Sequence, residues 1–503
     1  MIGIPLALLC GSLTALAPPR PGLCLLAWFT LAPLFALWRR CGGWREAALI
    51  GLAAGFGYHG TALYWIYSTC RFAGLSVFVG GLAWGALALV LALNWGIIGF
   101  LGWRFAEKRP VLRPWAWAAV WTAVTFLCER WTPRLCADLL GYTQWRHLTL
   151  LQAGSLAGPH WLGFLLVAAN AALERAWAES GNDAPRQPAT ALNLALVSAL
   201  VGLSWGYGTF ELARRDTALR GPARRVEILQ PAVDQYQKFD GRYAQRIRDN
   251  FAELLSRPRT AAPALVIWPE TCLPYWVEMG KGIPEAAAWS RKLGSYQIVG
   301  AVSREGEQSR NSAFLIAPSG GVQAAYHKRQ LVPFGEFVPL KFLGRFIGIL
   351  NEMGGLTAGA AVQPLFETPL GQAATSICYE AMFPRLIRSD AARRARLVVN
   401  ITNDGWYKDT WGPYQHFQAN AFRAIEDRVT ILRCGNTGIS GVIDPWGVVT
   451  ARLALNERGR LDADVPLADP FPARSFYARH GDWFGGLCLL AAAALIALGL
   501  KRA

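Results

Sequence analysis

Eight apolar stretches, at roughly 2–18, 22–39, 46–67, 74–104, 113–131, 155–177, 190–209 and 483–500, constrain this 503-residue chain more than any other feature. A helix needs about 20 mostly apolar residues to cross a hydrocarbon core. The 74–104 run is long enough to tilt or to include an interfacial piece. Seven runs come first, then a long polar stretch, then one closing run. That pattern predicts an α-helical multi-span membrane bundle with one polar domain inserted before the last span. The expected division is 1–210 for a membrane domain of seven transmembrane helices, 211–480 for the polar domain, and 481–503 for a C-terminal transmembrane helix. Composition agrees: charged residues are 17% of the chain, against about a quarter in soluble proteins. The 22 Trp residues suit the water–lipid boundary.

Loop charges set the orientation. With the N-terminus inside, the cytoplasmic segments hold Arg39, Arg40, Arg45, Arg104, Lys108, Arg109, Arg113, Arg175, Arg186, Lys501 and Arg502. The outer segments hold only Arg20, Arg71, Arg130, Arg134 and Arg146. The positive-inside rule therefore places both termini in the cytoplasm and the 211–480 segment outside. The same rule accounts for the net charge of +16, and no basic–aromatic motif argues for nucleic acid. The first run lacks a basic leader and a small-residue cleavage site, so it reads with the second as a retained helical hairpin.

Within 211–480, short β-rich runs recur at Arg225–Gln230, Ala264–Glu270, Gln297–Ser303, Ser312–Pro318, Ala373–Glu380, Leu397–Asn403, Ile431–Thr437 and Ser440–Pro445. Several are almost wholly apolar, as strands buried on both faces are. Helix-like stretches such as Gly241–Ser256 and Gln415–Asp427 lie between them, so the domain reads as α/β, with helices covering a sheet. Of the ten cysteines, only Cys272, Cys378 and Cys434 fall in this domain, without a CxxC pair. They read as free thiols, one of them reactive. The six His are dispersed and no HExxH motif occurs, so no metal and no cofactor are expected.

Three strand ends carry residues a core would not choose. Val266-Ile267-Trp268-Pro269 runs into Glu270; Tyr326-His327 runs into Lys328; Ser376-Ile377 runs into Cys378-Tyr379-Glu380. Active sites of α/β proteins gather at such ends. A carboxylate, an ammonium and a thiol can divide an acyl transfer: the acid takes the thiol proton, the thiolate attacks, the cation stabilises the oxyanion. Singly, each residue has an ordinary reading as a solvated charge or a small buried hydrophobe; the order and flanking residues turn the balance.

That order resembles the nitrilase superfamily of carbon–nitrogen hydrolases and, within it, the bacterial apolipoprotein N-acyltransferases. The features particular to the latter are Trp268-Pro269-Glu270, the run Lys328 to Pro339, Cys378-Tyr379-Glu380 with Phe383-Pro384, and Asn400-Ile401-Thr402-Asn403-Asp404 with Trp406. Gly412-Pro413 and Gln415-His416-Phe417-Gln418 complete the set. Seven spans before the domain and one after it match as well. The resemblance implies an extracytoplasmic, nitrilase-like α-β-β-α sandwich. It implies Cys378 as nucleophile, Glu270 as general base and Lys328 as stabiliser of the tetrahedral intermediate. Glu336 matches a second essential acid that orients Lys328 or contacts substrate, and Tyr379 and Glu380 match positions needed beside the nucleophile. Asn311 matches a polar residue that supports the site from a neighbouring strand, or is a turn-forming Asn before a strand. Phe239, in Gln237-Lys238-Phe239-Asp240, stands where the family has Trp, so an indole N–H is lost. Cys272 and Cys434 read as bystanders.

The implied function is N-acylation of lipoproteins. A phospholipid, phosphatidylethanolamine by resemblance, donates the acyl chain, and a diacylated lipoprotein accepts it on the α-amine of its N-terminal diacylglyceryl-cysteine. The implied setting is a monomer in the bacterial inner membrane with the catalytic domain on the periplasmic side. An apolar patch at Phe342, Leu343, Phe346, Ile347, Ile349 and Leu350 reads either as a lipid-facing loop or as a buried helix. Tyr64, Trp65 and Tyr67 form either an interfacial belt or a lipid portal. The competing readings are a membrane-tethered amidase that uses the same residues with water, and a transporter or lipid-binding scaffold. Against the latter, the spans read as almost free of ionisable groups, His59 excepted.

Overall fold

A computed structural model describes residues 3–107, 111–129, 139–180, 187–238, 240–280, 282–337, 355–467 and 474–500. Phe239 and the apolar patch at 342–350 lie outside the described residues. The chain divides into two compact units: residues 1–214, 410–418 and 475–503 in one, residues 215–409 and 419–474 in the other.

The first unit is helical. Each of the eight apolar runs contains helix, but they differ in length. Val77–Ala106 and Pro188–Ala218 are long and apolar enough to cross a membrane, and Leu148–Ala157 with His160–Ala178 forms a third candidate bent by 114°. Gly3–Thr14 and Trp483–Gly499 are shorter apolar helices, and the second run breaks into a 3-10 turn, Cys24–Trp28, and the helix Ala32–Arg40. Small residues bring these helices together: a Cβ on Gly11 would lie 1.9 Å from the Ala54 carbonyl oxygen, the close approach that membrane helices use.

The expectation that His59 is the main ionisable group in the spans is corrected here. Glu174, 1% exposed, accepts from Arg113 Nη1 at 2.7 Å and from Arg39 Nε at 2.8 Å. His160 pairs with Glu129 at 2.9 Å. Charge is tolerated here because it is paired, which hydropathy averaged over a window does not register. Trp65 is buried, and its indole N–H donates to Gln415 Oε1 at 3.1 Å within this unit.

The second unit is a two-sheet α/β structure. Its strands are β1 (Ala223–Gln230), β2 (Leu265–Ile267), β3 (Val277–Glu278), β4 (Tyr296–Glu305), β5 (Gln308–Ile316), β6 (Val322–His327), β7 (Phe366–Thr368), β8 (Gly371–Ile377), β9 (Leu397–Thr402), β10 (Thr430–Gly435), β11 (Ser440–Ile443), β12 (Val449–Leu453) and β13 (Gly459–Pro466). One sheet runs β13-β1-β2-β4-β5-β6, with β3 paired to β4; the other runs β12-β11-β10-β9-β8-β7. All eight expected strands are present. The strands not foreseen, β3, β6, β7, β12 and β13, are short or carry exposed polar positions, so their apolar signal is weak.

Alternation of side chains explains the layering. Val226, Ile228, Leu265, Ile267 and Ile298 of one sheet share a buried core with Ala373, Ile377, Leu397, Val399 and Ile401 of the other. Their neighbours Leu229, Val266, Trp268 and Val299 point the opposite way, into a second core with Ile247, Phe251 and Leu254 of the helix Ala244–Ser256 and Ala286 of the helix Pro284–Leu293. On the other sheet, the helix Pro384–Ala392 lies against β8. Both faces of the central strands are thus covered, which is why they read as continuous apolar runs.

Candidate active site

Glu270 follows β2 by three residues. Trp268 anchors this exit, donating its indole N–H to Gln297 Oε1 at 2.8 Å and stacking on Phe251. The turn lies flat on β4 because residue 300 is glycine: a Cβ there would sit 2.4 Å from the Pro269 carbonyl oxygen and 2.7 Å from Glu270 Cα. Lys328 follows β6 directly. Its N–H donates to the Asn311 carbonyl on β5, and its carbonyl accepts from Gly359 N, both at 2.8 Å. Cys378 follows β8 and opens the 3-10 turn Cys378–Met382.

Three non-glycine residues in this region take left-handed backbone conformations: Thr271 at φ 43°, Phe334 at φ 61° and Cys378 at φ 51°. Each costs on the order of 1–3 kcal/mol, and such strain gathers at functional sites. At Cys378 it turns the chain abruptly from strand to helix.

The polar groups form one connected set. Asn311 lies inside β5, not in a turn, and its Nδ2 donates to Glu270 Oε1 at 2.7 Å and to Glu336 Oε1 at 3.1 Å. Lys328 Nζ lies 2.8 Å from Glu336 Oε1 and 3.5 Å from Glu270 Oε1. Glu336 is itself fixed, because its Oε2 accepts from Val332 N at 2.8 Å. Glu336 thus contacts Lys328 directly. Asn311 Oδ1 is buried and has no hydrogen-bond partner among the described residues.

Burial pushes the Cys378 thiol up to about 12, the Glu270 carboxylate adding to the rise while Lys328 and a hydrogen bond with Thr402 oppose it. Burial also works against the charge on Lys328, but Glu336 and Glu270 together hold its ammonium above the usual lysine range. The resting site therefore contains a neutral thiol beside a committed cation. Ionisation of the thiol requires handing its proton to a neighbouring base.

Glu380 is fully buried and holds two site segments together. Its carboxylate accepts from the backbone N–H groups of Ile377 (2.7 Å), Arg329 (2.6 Å) and Gln330 (3.1 Å), and from Tyr326 OH (2.7 Å). Ile377, just before Cys378, and the two residues after Lys328 thus share one anchor. Burial raises its carboxyl pKa, against the pull of those hydrogen bonds. Glu380→Gln puts an amide where only acceptors serve. It is expected to lower turnover about a hundredfold through misplacement of Cys378 against Lys328, and to destabilise the domain by about 1–3 kcal/mol. Initial-rate and thermal-unfolding measurements on the purified variant check both. Tyr379 is buried and packs edge-on against Phe383 at 5.0 Å.

The other two cysteines of the domain are occupied elsewhere. Cys272 Sγ donates to the Gly300 carbonyl at 3.1 Å, and Cys434 Sγ to the Leu229 carbonyl at 3.2 Å. Burial raises both thiols.

Several site groups were missed in the sequence. Arg433, fully buried in β10, pairs with Asp404 at 2.7 Å and donates to Asn400 Oδ1 at 2.6 Å. Thr402 Oγ1 lies 3.2 Å from Asp404 Oδ1 and supports the Cys378 thiol. Lys238 donates to the Glu270 carbonyl at 2.8 Å. An arginine in the middle of the apolar run Thr430–Gly435 is the local signal for Arg433; Lys238 lies in the stretch Gln237-Lys238-Phe239-Asp240, with no role assigned to it.

This architecture agrees with sequence comparison. Residues 240–473 match the carbon–nitrogen hydrolase family, and residues 10–172 match the apolipoprotein N-acyltransferase N-terminal domain. An apolipoprotein N-acyltransferase of Geobacter metallireducens is 31% identical over 508 residues, covering 99% of this chain and 95% of that protein. The chain belongs to the apolipoprotein N-acyltransferase family. It is accordingly an acyltransferase, with a nitrilase-like domain, of a kind found in bacterial membranes. Relatives from Brucella melitensis (30% identity, 90% of this chain, 85% of the relative) and Nostoc sp. (28%, 91% and 92%) carry the same name. Among solved structures, an amidase from Nesterenkonia sp. is similar at 23% identity and a TM-score of 0.38, over 52% of this chain and 97% of that one.

Proposed function

We propose that this acyltransferase N-acylates lipoproteins through a thioester on Cys378. The observation that carries the reading is the connected set of Glu270, Lys328, Glu336 and Asn311 beside a buried cysteine held in a strained backbone. Glu270 takes the Sγ proton as the thiolate attacks the carbonyl of a phospholipid acyl ester. Lys328 stabilises the oxyanion, and the proton on Glu270 passes to the departing lysophospholipid oxygen. The α-amine of a diacylglyceryl-cysteine then attacks the thioester and gives a proton to Glu270. Cys378 Sγ leaves and regains that proton, closing a ping-pong cycle. Asn311 Oδ1, without a hydrogen-bond partner among the described residues, is an acceptor available to the incoming amine.

The donor in this proposal is phosphatidylethanolamine and the acceptor a diacylated lipoprotein. The eight apolar helical segments lie in the bacterial inner membrane, and 211–480 faces the periplasm. The names of the relatives and the loop charges support this arrangement. In this reading Phe239, which stands where the family has Trp, keeps an aromatic side chain for contact with substrate.

Intact-protein mass spectrometry of detergent-purified enzyme incubated with phosphatidylethanolamine tests the chemistry. The expected result is an acyl adduct on Cys378 that persists in water and is discharged when a diacylated lipopeptide is added. An adduct that decays in water alone makes the enzyme an amidase-like hydrolase; no adduct on any phospholipid removes the donor assignment.

A further inference from the structure

Lys238 is 2% exposed, and its ammonium donates to the Glu270 backbone carbonyl at 2.8 Å. That carbonyl is its one hydrogen-bond acceptor among the described residues, in a buried setting. A buried ammonium short of acceptors is costly unless negative charge lies close by. The charges that reach it are those of Glu270, Cys272 and Cys378. Burial brings its pKa down to about 8, against the pull of those three groups, so it remains mostly protonated at neutral pH.

The charge count of the site shows what Lys238 supplies. Two carboxylates, Glu270 and Glu336, face the single ammonium of Lys328, an excess of one acid and so of one negative charge in a buried space. Moving the Sγ proton to Glu270 relocates that charge to sulfur without cancelling it. Of the other buried acids near the thiol, Asp404 is matched by Arg433, and Glu380 is held by three backbone N–H groups and the Tyr326 hydroxyl. A second cation makes the set neutral before and after the proton moves. Cys272 competes poorly for it, since its thiol is engaged with the Gly300 carbonyl.

We infer that Lys238 is a positioning residue of the acyl-transfer site: its ammonium supplies the second positive charge that lets Cys378 ionise, while its hydrogen bond holds the backbone of the base Glu270. The inference rests on the assignment of Cys378 as nucleophile. The step involved is one proton transfer, from Cys378 Sγ to the Glu270 carboxylate, and needs no further reactant.

The test is the rate of iodoacetamide alkylation at Cys378 in the full-length enzyme, mapped by peptide mass spectrometry from neutral to alkaline pH. Lys238→Gln keeps a donor for the Glu270 carbonyl and removes the charge. It is expected to slow alkylation about tenfold at neutral pH and to move the pH midpoint up by about one unit. Lys238→Arg is expected to stay within about threefold of the parent, because the charge is retained. A Gln variant with the parent's rate and midpoint overturns the inference and leaves Lys238 a backbone anchor only. Should the Gln variant not fold, Lys238→Met, uncharged and of similar length, is read in the same way. An acyl adduct found on a residue other than Cys378 in the parent enzyme would instead remove the nucleophile assignment itself.

Discussion

Cys378→Ala is expected to lower lipopeptide acylation by at least about a thousandfold, to the background of the assay. The reason lies in what surrounds the thiol as much as in the thiol. Removing a nucleophile forfeits the covalent route and everything arranged to serve it. No second thiol of the domain stands ready, since Cys272 and Cys434 are buried with their sulfurs on backbone carbonyls. The variant should fold, because alanine fills most of the space of a small buried side chain and leaves the Glu380 hydrogen bonds untouched. It relieves none of the left-handed strain at position 378, where φ is 51°, so the turn should keep its form. Cys378→Ser should also fail to accumulate an acyl adduct, because a hydroxyl is a far weaker acid than a thiol. Initial rates of lipopeptide acylation, with intact mass in parallel, check both variants. Acylation by the Ala variant at even a tenth of the parent rate would be incompatible with a Cys378 thioester.

Arg433→Met is expected to destabilise the catalytic domain by about 3–5 kcal/mol, because it leaves a buried carboxylate without its counter-charge. Arg433 and Asp404 have fully buried side chains and meet at 2.7 Å. The same guanidinium donates to Asn400 Oδ1 and to the Ile439 carbonyl, at 2.6 and 3.1 Å. Three acceptors therefore lose their donor together. Asp404 cannot retreat easily, since its carboxylate is packed so closely on Gly438 that a Cβ there would come within 2.2 Å of Oδ2. Activity should fall as well, because Thr402 Oγ1 lies 3.2 Å from Asp404 Oδ1 and Thr402 supports the Cys378 thiol. Arg433→Lys should recover only part of the loss, since an ammonium lacks the planar fork that serves several acceptors at once. The lowered midpoint of the domain's thermal transition, followed in detergent, measures the effect. A midpoint within a degree or two of the parent would mean that Asp404 is neutral or otherwise matched.

How far the sequence reached can be judged residue by residue. The strand exits at Glu270, Lys328 and Cys378 were readable because each is announced locally: an apolar run buried on both faces stops at a charged or reactive side chain. The structure brings Glu270 and Lys328 within 3.5 Å of each other across 58 positions of sequence. Asn311 was placed on a neighbouring strand or in a turn, and β5 decided for the strand. Glu380 was expected beside the nucleophile, but its bonds to Arg329 and Gln330 run between two sheets and have no local signature. The helix Pro284–Leu293 was passed over although Pro284 at its start and Gly294 in the left-handed conformation after its end mark both termini. In the helical unit, window averages located the apolar runs yet concealed Glu174, whose charge is tolerated only because Arg113 and Arg39 reach it.

By itself, then, the amino-acid sequence determined the class of the chain, the positions of its central strands along it and the residue types at their ends. These follow from hydrophobic length and period, which are local properties. Tertiary structure alone decided which polar groups share a hydrogen bond: Asn311 between two carboxylates, Arg433 on Asp404, Lys238 on the Glu270 carbonyl. Those pairings join residues 25 to 41 positions apart. They exist because burial leaves a polar group no water to turn to, so it takes the partner that packing brings within reach.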